Sequence, residues 1–416
     1  MLVKRSSPRR PTVAPRPRHG GSPRSPENRQ RPRGQPLTKV MTVVGTRPEI
    51  IRLSEVIKRL DSTVDHVLVH TGQNYDYELN EIFFEDLGLR RPDHFLEVAT
   101  SSLGRVLGEV LIKIEELLHH EKPDAFLVLG DTNSCISAVM AKRLRVPVYH
   151  MEAGNRCFDE NVPEETNRRM VDHVSDFNLV YTEHARRNLL AEGIHPRRIL
   201  LTGSPMNEVL RAQRAAIDAS DVLSRLGLAE DNYFLVSAHR EENVDNPLRL
   251  TALLDCLEAV SRTYDLPVVV STHPRTRKRL GELGRDVPSV TFHQPMGFHD
   301  YNHLQLKARC VLSDSGTIAE EAAILGFRAV TLRDSIERPE ALDTGSVVMT
   351  GLDPENVLEG LASTISIVAS TGPEVPKDYA VTNCSQRVVQ FVLSTHRRHE
   401  TWSGLRVDTT AARSGG

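Results

Sequence analysis

The chain has 416 residues, 39% of them apolar, 26% charged and 5% aromatic, with a single Trp. That length argues for two domains and that apolar content for a full core, while the scarcity of aromatic residues argues against a protein that stacks on nucleic-acid bases. The formal net charge of −3 hides an asymmetry, because residues 1–37 hold ten Lys/Arg, one acid (Glu27) and eight of the 24 prolines. This head carries +9; taking its charges away leaves 42 basic and 54 acidic residues beyond it, a net of −12. So few apolar groups cannot offset the entropy of ordering a backbone, and the head is expected to be a disordered, solvated tail rather than a polyanion-binding arm. No run of 18 apolar residues predicts a membrane span, and the basic start lacks the apolar stretch of a secretory signal. The five cysteines (Cys135, Cys157, Cys256, Cys310, Cys384) lie far apart and form no CxxC. A zinc knuckle or disulfide framework is thereby disfavoured, and a reduced, cytoplasmic protein is expected.

From Lys39 onward the pattern alternates. Val40–Val44 is a short apolar run closed by Gly45 and followed by a helical stretch through Leu60. Further β-rich runs are His66–His70, Ala125–Leu129, Val146–His150, Phe177–Tyr181 and Ile199–Leu201. A second round follows: Tyr233–Ser237, Val268–Ser271, Val290–His293, Cys310–Leu312 and Ala329–Leu332, with helices near Leu248–Thr263, Tyr301–Ala308 and Ile318–Leu325. Continuously apolar strands between helices predict parallel sheets buried on both faces. The expected organisation is a head over 1–37, a Rossmann-like domain over 38–206, a Rossmann-like nucleotide-binding domain over 207–380, a C-terminal helix over 381–400 and a loose tail over 401–416. Two doubly wound α/β domains of this kind face each other across a cleft at the carboxyl ends of their strands, where ligands bind.

The turns after those strands carry the chemistry. Gly45-Thr46-Arg47-Pro48-Glu49 offers a close backbone approach, a proline suited to a first helical turn, and an arginine beside a helix N-terminus, a setting for phosphate or carboxylate. Asp131 follows Gly130, and Glu152 directly follows a buried apolar strand, where a carboxylate needs a partner. The second half presents Ala238-His239-Arg240-Glu241, Thr272-His273-Pro274-Arg275 and Ser313-Asp314-Ser315-Gly316-Thr317. Singly, these features have plain readings: Asp131 as a helix cap, His273 as a satisfied edge histidine, Ser315-Gly316-Thr317 as simple capping. Capping does not require acids, Arg and His at so many strand ends in both halves. No two glycines are spaced G-x-G, and GxxxxGK[ST], GxSxG and HExxH are absent, so dinucleotide, P-loop, serine-hydrolase and zinc-protease readings fall away.

From about Lys39 to Ile367 the chain resembles the non-hydrolysing UDP-N-acetylglucosamine 2-epimerases, which have the two-domain GT-B fold. The resemblance rests, in family order, on GTRPE (45–49), GDT (130–132), EAG (152–154), PEETNRR (163–169), AHRE (238–241), SDSGTI (313–318) and ERPE (337–340). HTGQNYDYEL (70–79), HMEAGNRCFDE (150–160), SAHREENVDNP (237–247) and GFHDYNHLQ (297–305) look like the subgroup that makes UDP-N-acetyl-L-fucosamine. The chain departs from the GlcNAc branch at Arg52, where lysine is usual, and over Gln73–Tyr77, where that branch has the QHREM-type segment implicated in allosteric UDP-GlcNAc binding.

The resemblance implies a UDP-2-acetamido sugar substrate, no cofactor, no metal and a homodimer, with no membrane or nucleic-acid partner. It implies Asp131, Glu152 and Glu164 as the acid/base set around C2, and His239 as the group that helps the diphosphate leave. Arg47 and Arg52 would contact the diphosphate from the first domain; Ser315, Gly316 and Thr317, at a helix start, would hold it from the second. Glu320 would bind the ribose hydroxyls, His273 and Arg240 would line the nucleotide side, and Tyr301 would sit near the uracil. Arg168 and Arg338, in matched motifs, complete the expected binding set. The C2–H of such a sugar has no adjacent carbonyl, so the implied route is loss of UDP from C1 and of the proton from C2, then re-addition after protonation on the other face. Which acid serves which face stays open. The rivals are a GT-B glycosyltransferase, a catalytically silent sugar-nucleotide sensor and a hydrolysing epimerase; the presence of all three acids speaks against the first two.

Overall fold

The computed structural model describes residues 37–72, 77–99, 101–368 and 374–405. All but the last residue of the expected disordered head, the Gln73–Asp76 part of the departing segment and residues 406–416 of the expected tail lie outside these.

Two parallel sheets follow one another. The first is built from β1 (Lys39–Val44), β2 (Asp65–His70), β3 (His94–Phe95), β4 (Ala125–Leu129), β5 (Val148–Met151), β6 (Phe177–Val180) and β7 (Ile199–Leu201), in the order β3-β2-β1-β4-β5-β6-β7. The second holds β8 (Phe234–Ser237), β9 (Val268–Ser271), β10 (Val290–His293), β11 (Cys310–Ser313), β12 (Ala329–Thr331) and β13 (Val348–Met349), in the order β10-β9-β8-β11-β12-β13. Every neighbouring pair is parallel, for instance Val44 opposite His70 and Ser237 opposite Ser313. Helices cover both faces: Ile50, Leu53 and Ile57 pack on one side of the first sheet, Val106, Val110 and Ile114 on the other. The expected pair of doubly wound α/β domains is therefore present.

The strand order reverses between β1 and β4 in one sheet and between β8 and β11 in the other. Crossovers leave in opposite directions there, opening a crevice at the carboxyl ends. The turns after these four strands carry Arg47, Asp131, His239 and Ser315.

Two strands were not legible. β3 and β13 are two-residue edge strands, half-buried or exposed, too short to show an apolar period. β5 starts at Val148 rather than Val146 because Pro147 has no N–H for the ladder; its carbonyl accepts from Phe126 N–H at 2.9 Å. The C-terminal helix Cys384–Thr395 returns to the first half, where Val388, Val389 and Val392 join its core and the Tyr149 and Thr395 hydroxyls meet at 2.7 Å. All five cysteines are buried and free, and among the described residues no helix is long and apolar enough to cross a membrane.

Candidate active site

The first wall of the crevice is held from behind by buried carboxylates. The helix Arg47–Thr63 begins at Thr46, and its Glu49 reaches back to accept from the N–H of Gly45 (2.9 Å) and of Thr46 (2.7 Å). The other Glu49 oxygen takes the Ser134 hydroxyl, so the loop carrying Arg47 is tied to the turn after Asp131. Asp131 pairs with Arg168, whose Nη2 lies 2.6 Å and Nε 3.1 Å from one carboxylate oxygen. Glu164 opens the helix Glu164–Val174 and has no ion pair among the described residues. Burial pushes its carboxyl above the ordinary range, the charge of Asp131 adds to this, and Arg240 opposes it.

Glu152 follows β5 with φ +64°, in the left-handed region that a non-glycine residue adopts only when its surroundings enforce it. They do. Arg52 donates to one of its oxygens and Arg338 Nη2 to the other at 2.5 Å. Arg338 also donates to Glu320, and Arg52 Nη2 lies 3.4 Å from the same Glu320 oxygen. The four side chains thus close a buried ring of alternating charge, two members from each half of the chain, with Ser204 capping Glu320 at 2.5 Å. Each guanidinium faces two carboxylates, which makes so many charges tolerable away from water.

The second wall is built from backbone donors and arginines. Buried Asp314 accepts the N–H of His239 (3.1 Å) and of Arg240 (3.0 Å), fixing the turn after β8. The His239 ring, 42% exposed, has Nδ1 3.4 Å from Asp314 and turns its other edge to the crevice. Desolvation by the crevice walls lowers its imidazole from the ordinary value, with Asp314 opposing. Ser315, Gly316 and Thr317 precede the helix Ile318–Leu325, with the Ser315 and Thr317 hydroxyls 3.0 Å apart. A Cβ on Gly316 would come within 2.7 Å of the Glu337 carboxylate, and the glycine leaves that space to the carboxylate.

The crevice contains two adjoining cavities. One, of about 270 Å³, is lined by Asp131, Glu152, Glu164, Arg240, Gly316 and Arg338 among others; the second, of about 290 Å³, is lined by Arg47, His273, Phe298, Tyr301 and Glu321 among others. Arg52, His239, Ser315 and Thr317 border both, joining a highly charged chamber to a more apolar one. His273 caps the helix Pro274–Leu283, accepting from Arg275 N–H at 3.3 Å.

Of the fifteen residues singled out from sequence, thirteen line one or both cavities. Two lie elsewhere. Glu320 is fully buried within the charge ring and lines neither cavity; its neighbour Glu321 lines the apolar chamber. Arg168 is buried behind Asp131, bridging it to Glu165 at 2.7 Å, and lines neither cavity. Helix geometry explains the first: adjacent residues point about 100° apart, and the motif alone does not say which of two glutamates faces the crevice. The sequence reading also gave no role to Glu337, which takes Arg240 at 2.8 Å and Arg333 at 2.5 Å, nor to Asp314; both were visible inside the ERPE and SDSGTI motifs.

A family model described as UDP-N-acetylglucosamine 2-epimerase matches residues 58–393. The solved UDP-N-acetylglucosamine 2-epimerase from Rickettsia bellii is 45% identical, with 88% of this chain and 98% of that one covered and a TM-score of 0.82. The Methanocaldococcus jannaschii UDP-GlcNAc 2-epimerase, solved in complex with UDP-GlcNAc and UDP, is 34% identical over 86% of this chain and 100% of its own, with a TM-score of 0.81. The UDP-2,3-diacetamido-2,3-dideoxy-D-glucuronate 2-epimerase of Pseudomonas aeruginosa is 35% identical over 365 residues, 85% of this chain and 99% of the relative. The two-domain architecture is GT-B-like, as in these solved epimerases.

Proposed function

The chain belongs to the UDP-N-acetylglucosamine 2-epimerase family, a family of isomerases, and from that premise we propose that it inverts C2 of a UDP-2-acetamido sugar by eliminating UDP and adding it back. The observation that carries this reading is the convergence of Asp131, Glu152 and Glu164 on one cavity whose opposite wall is His239, Arg240 and the Ser315–Thr317 helix start. Simple glycosyl transfer needs no such cluster of acids.

In this reading the nucleoside occupies the apolar chamber beside Tyr301 and Phe298, with Glu321 accepting the ribose hydroxyls. The diphosphate lies at the shared border, against Arg47, Arg52, Ser315 and the positive end of the helix Ile318–Leu325. The sugar reaches into the acidic chamber. The C1–O bond breaks with its electron pair leaving on UDP, assisted by a hydrogen bond from His239, while a carboxylate removes the C2 proton and C1=C2 forms. A carboxylic acid then returns a proton to the other face of C2, and the UDP oxygen re-forms the bond to C1. Glu164, with its raised carboxyl, suits the proton-holding part, and the roles exchange in the reverse direction. Closure of the crevice would keep the glycal from escaping.

Two sugars are compatible with the motifs: UDP-GlcNAc with its C2 epimer UDP-ManNAc, and the 6-deoxy-L-sugar variant that yields UDP-N-acetyl-L-fucosamine. Segments 70–79, 150–160, 237–247 and 297–305 support the second. Incubation with UDP-GlcNAc and, separately, with UDP-2-acetamido-2,6-dideoxy-L-talose, followed by NMR, tests both. A C2 epimer from at least one is expected. Release of free sugar, or no conversion of either, contradicts the reading.

A further inference from the structure

A second charge cluster lies behind the acidic chamber, and the reaction as proposed makes no direct use of it. Asp172, on the helix Glu164–Val174, is fully buried, as is His150 in β5. His150 Nδ1 lies 2.8 Å from Asp172 Oδ1, and its Nε2 lies 2.7 Å from the carbonyl oxygen of Gly130, the residue before Asp131. Asp172 also receives Arg156 Nη1 at 2.7 Å and the N–H of Gly154 at 3.1 Å. Arg156 in turn makes a two-pronged pair with Glu192, at 2.8 and 2.7 Å.

Asp172 therefore touches all three acid-bearing elements. Through His150 it holds Gly130, which at φ +75° turns the chain into Asp131. Through Gly154 it holds the end of the Glu152-Ala153-Gly154 turn, whose first residue is itself at φ +64°. A Cβ on Gly154 would meet the Ala185 carbonyl oxygen at 2.4 Å, so only glycine fits at this point of the turn. Glu164 stands at the start of the helix that carries Asp172. The hydrogen-bonding inventory is also defined. Arg156 and Gly154 both donate to Asp172, so it acts as an acceptor, and a carbonyl oxygen can only accept. His150 Nε2 faces the Gly130 carbonyl oxygen and therefore donates to it, while Nδ1 faces the Asp172 carboxylate.

We infer that Asp172 and His150 are positioning residues that set the spacing of Asp131, Glu152 and Glu164, through the Gly130 carbonyl and the Gly154 N–H. This rests on the reading of those three acids as the reactive set. Neither residue touches the substrate. Loss of the link moves the acids relative to C2 and leaves the nucleotide contacts made by the second sheet as they were; proton transfer tolerates little misplacement.

The test compares Asp172→Asn, His150→Gln and His150→Leu with the wild type. For each, kcat on the epimerised sugar, the affinity for UDP by calorimetry and the number of His150 ring N–H protons in protein labelled with 15N-histidine are measured. The wild type is expected to show a ring N–H proton on His150 Nε2. Asp172→Asn is expected to lose thirtyfold or more in kcat while UDP affinity stays within threefold. His150→Gln, which keeps a donor for Gly130, should retain more turnover than His150→Leu. Turnover of Asp172→Asn within twofold of the wild type, or UDP affinity falling in step with kcat, overturns the inference. If Asp172→Asn does not fold, the two His150 variants decide by the same criteria. A wild type inert toward both sugars defeats the functional reading instead, and the ring protons then decide the hub alone: a His150 Nε2 without a proton refutes it.

Discussion

The two walls of the crevice are made of the same architectural unit, yet they present opposite chemistry. The first sheet ends its strands in carboxylates: Asp131 after β4, Glu152 after β5, with Glu164 just beyond. The second ends them in donors: the His239 and Arg240 turn after β8 and the Ser315–Thr317 helix start after β11. Two of its own acids are taken up by the protein. Asp314 holds backbone N–H groups and Glu337 holds arginines, whereas Glu164 faces the cavity without an ion pair among the described residues. A doubly wound sheet supplies a crevice and helix N-termini; which wall grips an anion and which moves protons is decided by the side chains that follow the strands.

Variants should separate the two walls. The largest effect is expected from Asp131→Asn and Glu152→Gln, each lowering kcat about a hundredfold or more, roughly 2.7 kcal/mol, while UDP binding persists. Steady-state kinetics with calorimetry checks this; retained turnover with weakened UDP binding would make both residues structural. Glu337→Gln should instead reduce stability, by about 2 kcal/mol at neutral pH, since hydrogen bonds to charged groups are involved. Burial alone would raise the Glu337 carboxyl, but Arg240, Arg333, Arg168 and Arg338 hold it well below its ordinary value. A depressed carboxyl gives stability that is present above the unfolded value and lost as pH falls through the folded one. Denaturant titrations from pH 7 downward should therefore show a shallower acid decline in Glu337→Gln than in the wild type. Parallel declines would contradict the pairing.

A smaller effect, about tenfold in KM or 1.4 kcal/mol, is expected for Glu321→Gln with kcat nearly unchanged. The same substitution at Glu320 should disturb the charge ring and lower kcat. If Glu320→Gln raised KM alone, the ribose would belong to Glu320 after all. The smallest effect is expected from deleting residues 1–37, whose composition offers no core to either wall; turnover of the truncated chain should match the full one.

Much of this was legible because buried parallel strands leave continuous apolar runs, and the residues after them stand out: Asp131, Glu152, His239 and Ser315 all came from that pattern. What escaped has physical reasons. β3 and β13 are too short to carry a period. Arg168 and Glu320 sit in matched motifs, but motif order does not say whether a charged side chain faces the crevice or a buried partner. The Arg52–Glu152–Arg338–Glu320 ring joins residues up to 286 positions apart, and only tertiary geometry reveals it. The Asp172–His150 link was equally hidden, since a strand histidine with its ring on a main-chain carbonyl looks in sequence like any core histidine.

The central claim is that C2 loses its proton to one protein acid and regains one from another while UDP is detached. The direct measurement is epimerisation in deuterated water with an oxygen label in the bridge between C1 and the diphosphate, followed by NMR. The account predicts deuterium at C2 of the product and scrambling of the label between the bridging and non-bridging positions of the β-phosphate. Product that keeps its original hydrogen at C2, with the label unmoved, would contradict it.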